Sequence, residues 1–138
     1  VYALLAWATV AVRRRTQDKA SMRRRTAAAR ARPRLQAAAA EWQARHVREA
    51  ADLTQDAFTG LIADVDDLHD AGLTPKDVLR HLQAWDVPLA LTARVRTLMD
   101  SCDAARYGGV SGSASLGEEA QDVLESLIEA LRTQKRLR

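Results

Sequence analysis

The chain has one cysteine, Cys102, in 138 residues, so an internal disulfide framework is excluded and a reducing compartment fits. That thiol reads as a small buried hydrophobe. Aromatic residues make up only 4% of the chain, too few to interleave with its cations as a base-stacking platform. Period-two alternation and β-branched runs are scarce, which argues against sheets and for an all-α fold. Motifs of chemistry are missing as well. There is no phosphate-cradling G-x-x-x-x-G-K, no G-x-S-x-G elbow and no C-x-x-C pair. His46, His69 and His81 lack the spacing of a metal-ligating H-E-x-x-H helix. No catalytic, cofactor-binding or metal-ligating residue is expected, and no small-molecule substrate.

What is present begins at the first residue. Residues 1–12 carry no charge, and Arg13, Arg14 and Arg15 follow at once. Apolar side chains followed by guanidinium groups are the pattern of the cytoplasmic end of a membrane-spanning helix. Twelve residues rise only about 18 Å as a helix, short of a hydrocarbon core of about 30 Å. The chain begins with valine, so more of that helix is expected before Val1. A signal peptide fits poorly, because the charges follow the apolar run and no A-x-A-like site comes after it. The rival reading is an amphipathic or core helix of a soluble protein.

Charge is split along the chain. Residues 1–50 hold twelve Lys/Arg against three acids, for a net +9, and residues 51–138 carry −6. A basic head before an acidic body suits a stretch beside anionic lipid, where each cation contributes about 1 kcal/mol. It suits nucleic acid less well, since a folded body would then carry the basic face. Arg23, Arg24 and Arg25 continue the collar begun by Arg13–Arg15, with alanines between. Residues 13–34 therefore read as a basic helical linker of solvated charge, frayed or kinked at Pro33.

From Leu35 a helical stripe runs through Ala39, Trp42, Ala50 and Leu53 to Leu61 and Val65. Thr54 as N-cap predicts two helices meeting at 52–54; one helix over 35–70 is the alternative. Ala71-Gly72 predicts the next stop. Leu73-Thr74-Pro75-Lys76-Asp77 is a helix start, with a capping hydroxyl, proline in the first turn and an acid after it. A further start is expected at Asp86-Val87-Pro88. Its helix closes at Gly108-Gly109, with Arg106 at the negative end of the dipole and the Tyr107 ring packed back. Residues 108–117 read as a flexible loop, and a last helix begins at Glu118. The result is a small bundle of four to five helices over residues 35–138, anchored by Trp42, Phe58 and Trp85. A partner-binding role for Trp42, Trp85, Arg106 and Tyr107 is the alternative to a structural one.

Asp64–Asp70 gathers four carboxylates and His69. It lacks the glycine at the sixth position of a calcium loop. Asp66–His69 gives the di-iron spacing only once, with the shorter acid. A solvated acidic face is expected, with a cationic partner such as the basic tail; a metal-dependent enzyme is the remote alternative. Asp77 and His81 are expected to form a surface pair.

The order of these features resembles a family. It comprises the membrane helix end, the arginine-rich stretch, Gly72-Leu73-Thr74-Pro75-Lys76-Asp77-Val78-Leu79, Val87-Pro88, Cys102-Asp103-Ala104-Ala105-Arg106-Tyr107 and Leu127-Ile128-Glu129-Ala130-Leu131. Over residues 1–133 it is similar to the cytoplasmic C-terminal region of BatD-type Bacteroides-aerotolerance, or oxygen-tolerance, proteins. Gly108-Gly109 departs from the Ala-Pro turn expected there. The resemblance implies a single-pass inner-membrane protein of bacterial stress tolerance, with residues 13–138 cytoplasmic. It would work by assembly, beside von Willebrand factor A-domain Bat proteins and a MoxR-type ATPase. A cytoplasmic regulatory or nucleic-acid-binding adaptor using residues 13–34 is the second expectation.

Overall fold

Five helices form among the described residues: α1 (Tyr2–Gln43), α2 (Val47–Val65), α3 (Pro75–Ala84), α4 (Leu89–Arg106) and α5 (Ala114–Thr133). The computed structural model describes residues 2–66, 73–108 and 114–137, apart from the side chains of 16, 18, 20 and 114. No strand occurs among them, as the composition predicts. No helix is long and apolar enough to cross a membrane among the described residues.

α1 is the spine. It runs through Pro33 without a break. Pro33 and Ala29, whose carbonyl loses its helical donor, are both exposed, so water can satisfy that oxygen. The linker expected over 13–34 is thus continuous with the helix that runs on to Gln43. Its last third already belongs to the core, because Ala27, Ala28 and Ala31 are buried in register with Leu35, Ala38 and Trp42.

The turn between α1 and α2 lies at 44–46, not at 52–54. Arg45 adopts φ 63°. The Arg45 amide donates to Trp42 O at 3.2 Å and the His46 amide to Glu41 O at 2.9 Å. This paired arrangement closes a helix through a left-handed residue. Thr54 is not a cap. It sits inside α2, fully buried, and donates to Ala50 O at 2.7 Å while accepting from Trp42 Nε1 at 3.1 Å. A buried indole N–H needs such an acceptor. The Ala71-Gly72 stop lies outside the described residues.

α3 starts as predicted. Thr74 Oγ1 accepts from the Asp77 amide at 3.3 Å, and the Asp77 carboxylate accepts from the Thr74 amide at 2.9 Å. Those two residues' bonds, the backbone one foremost, hold the Asp77 carboxyl below its ordinary range. α4 follows Pro88 and ends before Gly108, at φ 82°. α5 begins at Ala114, four residues before the expected start, so the segment expected as a loop is partly helix. Gly117 lies in this added turn and packs on α1. Its absent side chain lets α5 lie on α1, where a Cβ would stand 3.3 Å from the Trp42 ring. α5 runs antiparallel to α1, since Arg32 further back along α1 binds Glu125 at 2.8 and 3.0 Å. This pair raises the Arg32 pKa and lowers that of Glu125, chiefly through the hydrogen bonds.

Asp86 and Lys135 repeat the Arg45 device at φ 55° and 60°. The amides of Val87 and Arg136 reach back to Leu82 O and Leu131 O at 3.1 and 2.9 Å. Left-handed backbone costs a side chain about 1–2 kcal/mol, and glycine returns part of that gain as unfolded-state entropy. Arg45→Gly, Asp86→Gly and Lys135→Gly should each raise stability by about 0.5–1 kcal/mol in urea unfolding. A lowered midpoint for all three would contradict these turn assignments.

Candidate functional site

The N-terminal end of α1 leaves the bundle uncovered. Tyr2, Leu4, Leu5, Trp7, Val10 and Val12 are between 47% and 89% exposed. At about 1.5–3 kcal/mol per large apolar side chain, leaving six in water costs on the order of 10 kcal/mol relative to covering them. The first fully buried residue described in α1 is Ala27, about 21 Å along the helix from Arg13. An apolar arm and a polar stalk therefore precede the core on one continuous rod.

The six arginines of the expected collar divide into two sets. Arg13, Arg14, Arg15 and Arg25 are exposed. Arg23 and Arg24 instead close the C-terminal end of α2. Arg23 Nη2 lies 3.5 Å from Asp64 Oδ1, and Arg24 Nε donates to Val65 O at 3.2 Å. Arg30 adds a second cation 3.7 Å from the same carboxylate. Cations there complement the negative end of the helix dipole.

Asp64 is accordingly not part of a solvated acidic face; it is buried against two guanidinium groups. The cationic partner comes from α1, not from the C-terminal tail. Asp66 Oδ2 lies 3.1 Å from His81 Nε2. Asp67, Leu68, His69 and Asp70 lie outside the described residues. No three His, Cys, Asp or Glu side chains converge on a metal position among the described residues. His81 Nδ1 donates to the backbone oxygen of Asp77 at 2.8 Å, while the Asp77 carboxylate is used by its own cap. The expected side-chain pair is thus a backbone contact.

The four candidate partner-binding residues are scattered. Trp42 is buried in the core. Trp85 is half-buried under the C-terminal turn. Arg136 stacks 4.9 Å above its ring, His81 meets it edge-on at 5.5 Å, and Gln134 Nε2 donates to its carbonyl at 2.8 Å. Arg106 clamps α4 to α2. It pairs with Asp52 and with Gln55, whose amide donates to Asp103 Oδ1 at 2.9 Å. Tyr107 does not pack back; it is 83% exposed. The buried stripe of α4 ends at Cys102 and Ala105, and a residue two further on turns about 200° away from it.

Sequence reasoning missed Gln55 and Gly60. Gly60 admits the Arg34 guanidinium, which a Cβ at residue 60 would strike. Both line up on α2 opposite long polar partners, a relation visible only once the helices are paired. Arg34, Leu53, Asp56, Thr59, Gly60, Ala63 and Leu73 border an open cleft of about 460 Å³.

The chain matches no family model, and no curated protein or solved structure is similar enough to add to this picture.

Burial pushes the Cys102 thiol up to about 12. The thiolate is disfavoured in the fold, so this contribution to stability is complete below pH 9 and fades as pH rises toward 12. Cys102 should resist iodoacetamide at pH 8 in the native protein and react fully once urea unfolds it. Rapid native alkylation would contradict the packing of α4.

Proposed function

We propose that this chain is a non-enzymatic, membrane-anchored interaction module: the apolar arm lies in the lipid, and the helical bundle recruits partners at the cytoplasmic face. The observation that carries it is the arm itself. Its large apolar side chains stand exposed outside the bundle, and Arg13, Arg14 and Arg15 follow them on the same helix. Lipid covers the first and attracts the second.

The order of motifs supports a BatD-like protein of envelope stress and oxygen tolerance, with von Willebrand factor A-domain Bat proteins and a MoxR-type ATPase as partners. Pairing of Arg23 and Arg30 with Asp64, and of Arg32 with Glu125, reduces the charge that the second reading, a nucleic-acid adaptor, would offer to RNA or DNA.

With vesicles of phosphatidylcholine and phosphatidylglycerol, the full chain should co-sediment and its fluorescence should shift to the blue. Trp7 is the exposed reporter, Trp42 is buried and Trp85 is half-buried under Arg136, so Trp7→Phe should remove most of the shift. Replacing Arg13, Arg14 and Arg15 with glutamine should weaken partitioning about 100-fold at low salt. Trp7 emission that stays water-like on excess vesicles would overturn the anchoring. Failure of the vesicle-bound chain to retain any Bat or MoxR-type protein would overturn the recruiting role.

A further inference from the structure

We infer that the end of the bundle facing the arm is a second lipid-facing basic surface, formed by Arg24 and Arg25 of α1 with Arg132 and Lys135 at the end of α5. The inference rests on the proposed anchoring and adds a second contact to it.

The sequence places Arg132 and Lys135 more than a hundred residues from the collar, inside the acidic half of the chain. The fold returns them. Arg24 reaches the end of α2 at Val65. The next residue, Asp66, meets His81 of α3, and His81 meets Trp85. Trp85 lies under Arg136 and is bonded by Gln134. This unbroken line of contacts sets residues 134–136 at the end where α1 emerges toward the arm. The antiparallel course of α5, fixed at Gly117–Trp42 and Glu125–Arg32, points the same way.

The cations outweigh the acids at this end among the described residues. Asp64 is taken up by Arg23 and Arg30, while Asp66 is exposed and contacts His81. Glu129 is exposed on the last two turns of α5, Asp86 is exposed beside Trp85, and Glu125 lies within electrostatic reach of Arg132. Against these stand Arg24, Arg25, Arg132 and Lys135, all exposed, and the half-buried Arg136. The opposite end of the bundle holds Glu41, Glu49, Asp52, Glu118 and Glu119 together with Arg45, Arg48, Arg94 and Arg106, so its charges nearly balance. The bundle thus has a basic face toward the arm and a nearly balanced one away from it.

Distance agrees. Arg24 stands about 17 Å along α1 from Arg13. With Arg13 at the hydrocarbon boundary and a headgroup layer of about 5–7 Å, the basic end lies about 10 Å above the lipid surface. That is close to one Debye length at physiological salt, near enough for an anionic surface to orient the bundle. An anionic membrane is the partner that meets arm and basic end together.

The test compares three full-length chains on phosphatidylglycerol-containing vesicles: unaltered, Arg132→Gln/Lys135→Gln, and Arg45→Gln/Arg48→Gln. The last removes the same charge from the opposite end. The Arg132/Lys135 variant should bind about 10-fold more weakly at low salt, with a shallower salt dependence, while the Arg45/Arg48 variant should match the unaltered chain. Equal affinities for the two variants would overturn the second surface and leave the anchoring intact. No binding by the unaltered chain would overturn both. Loss of RNA binding by the Arg132/Lys135 variant, with vesicle binding unchanged, would also overturn the inference and assign the patch to nucleic acid. Lys135→Glu alone gives a further readout: its loss should exceed that of Lys135→Gln.

Discussion

The packing of α1 against α2 is the most extensive in the bundle, and the rest is arranged around it. Small side chains are buried on both helices, Ala27, Ala28, Ala31 and Ala38 on α1 and Ala50, Ala51 and Ala57 on α2, and Gly60 of α2 faces Arg34 of α1. Polar contacts pin the seam at both ends. Trp42 donates to Thr54 near the turn, and Arg23, Arg24 and Arg30 close on Asp64 and Val65 at the far end. Between them Arg34 lies over Gly60. The arginine-rich half of α1 is therefore as much a part of the fold as the alanines. α5 then covers α1, and α3 and α4 close over α2.

A consequence is that α1 serves two environments without a joint. From Ala27 onward its stripe faces protein; before Arg13 its apolar residues face outward on all sides. A helix with no break between these regions transmits the orientation of one to the other. Any tilt of the arm becomes a tilt of the bundle, and the charges at each end of the bundle are carried with it.

The sequence is most legible where local chemistry decides the outcome. Thr74-Pro75-x-Asp77 specifies a helix start by bonds within four residues, and it forms as read. The all-α fold and the buried stripe of α4 come from period and composition. It is least legible where a partner across the bundle decides. Thr54 has the chemistry of a cap, yet the indole of Trp42 claims it inside a helix. Gly117 reads as loop, yet it is the close-approach residue between α5 and α1. The left-handed turns at Arg45, Asp86 and Lys135 carry no glycine to announce them. The collar arginines look alike in sequence, and only the position of α2 separates Arg23 and Arg24, which cap a helix, from Arg13–Arg15, which do not touch the core.

The claim on which arm, stalk and bundle all depend is that α1 is one straight helix in the presence of lipid. Spin labels at Arg14→Cys and Gln36→Cys, in a Cys102→Ala background, measure it by pulsed electron resonance in phosphatidylglycerol-containing vesicles. Twenty-two helical steps predict a single narrow distance of about 33 Å. A broad distribution, or a distance markedly shorter, would show a joint in the stalk and contradict the continuous rod.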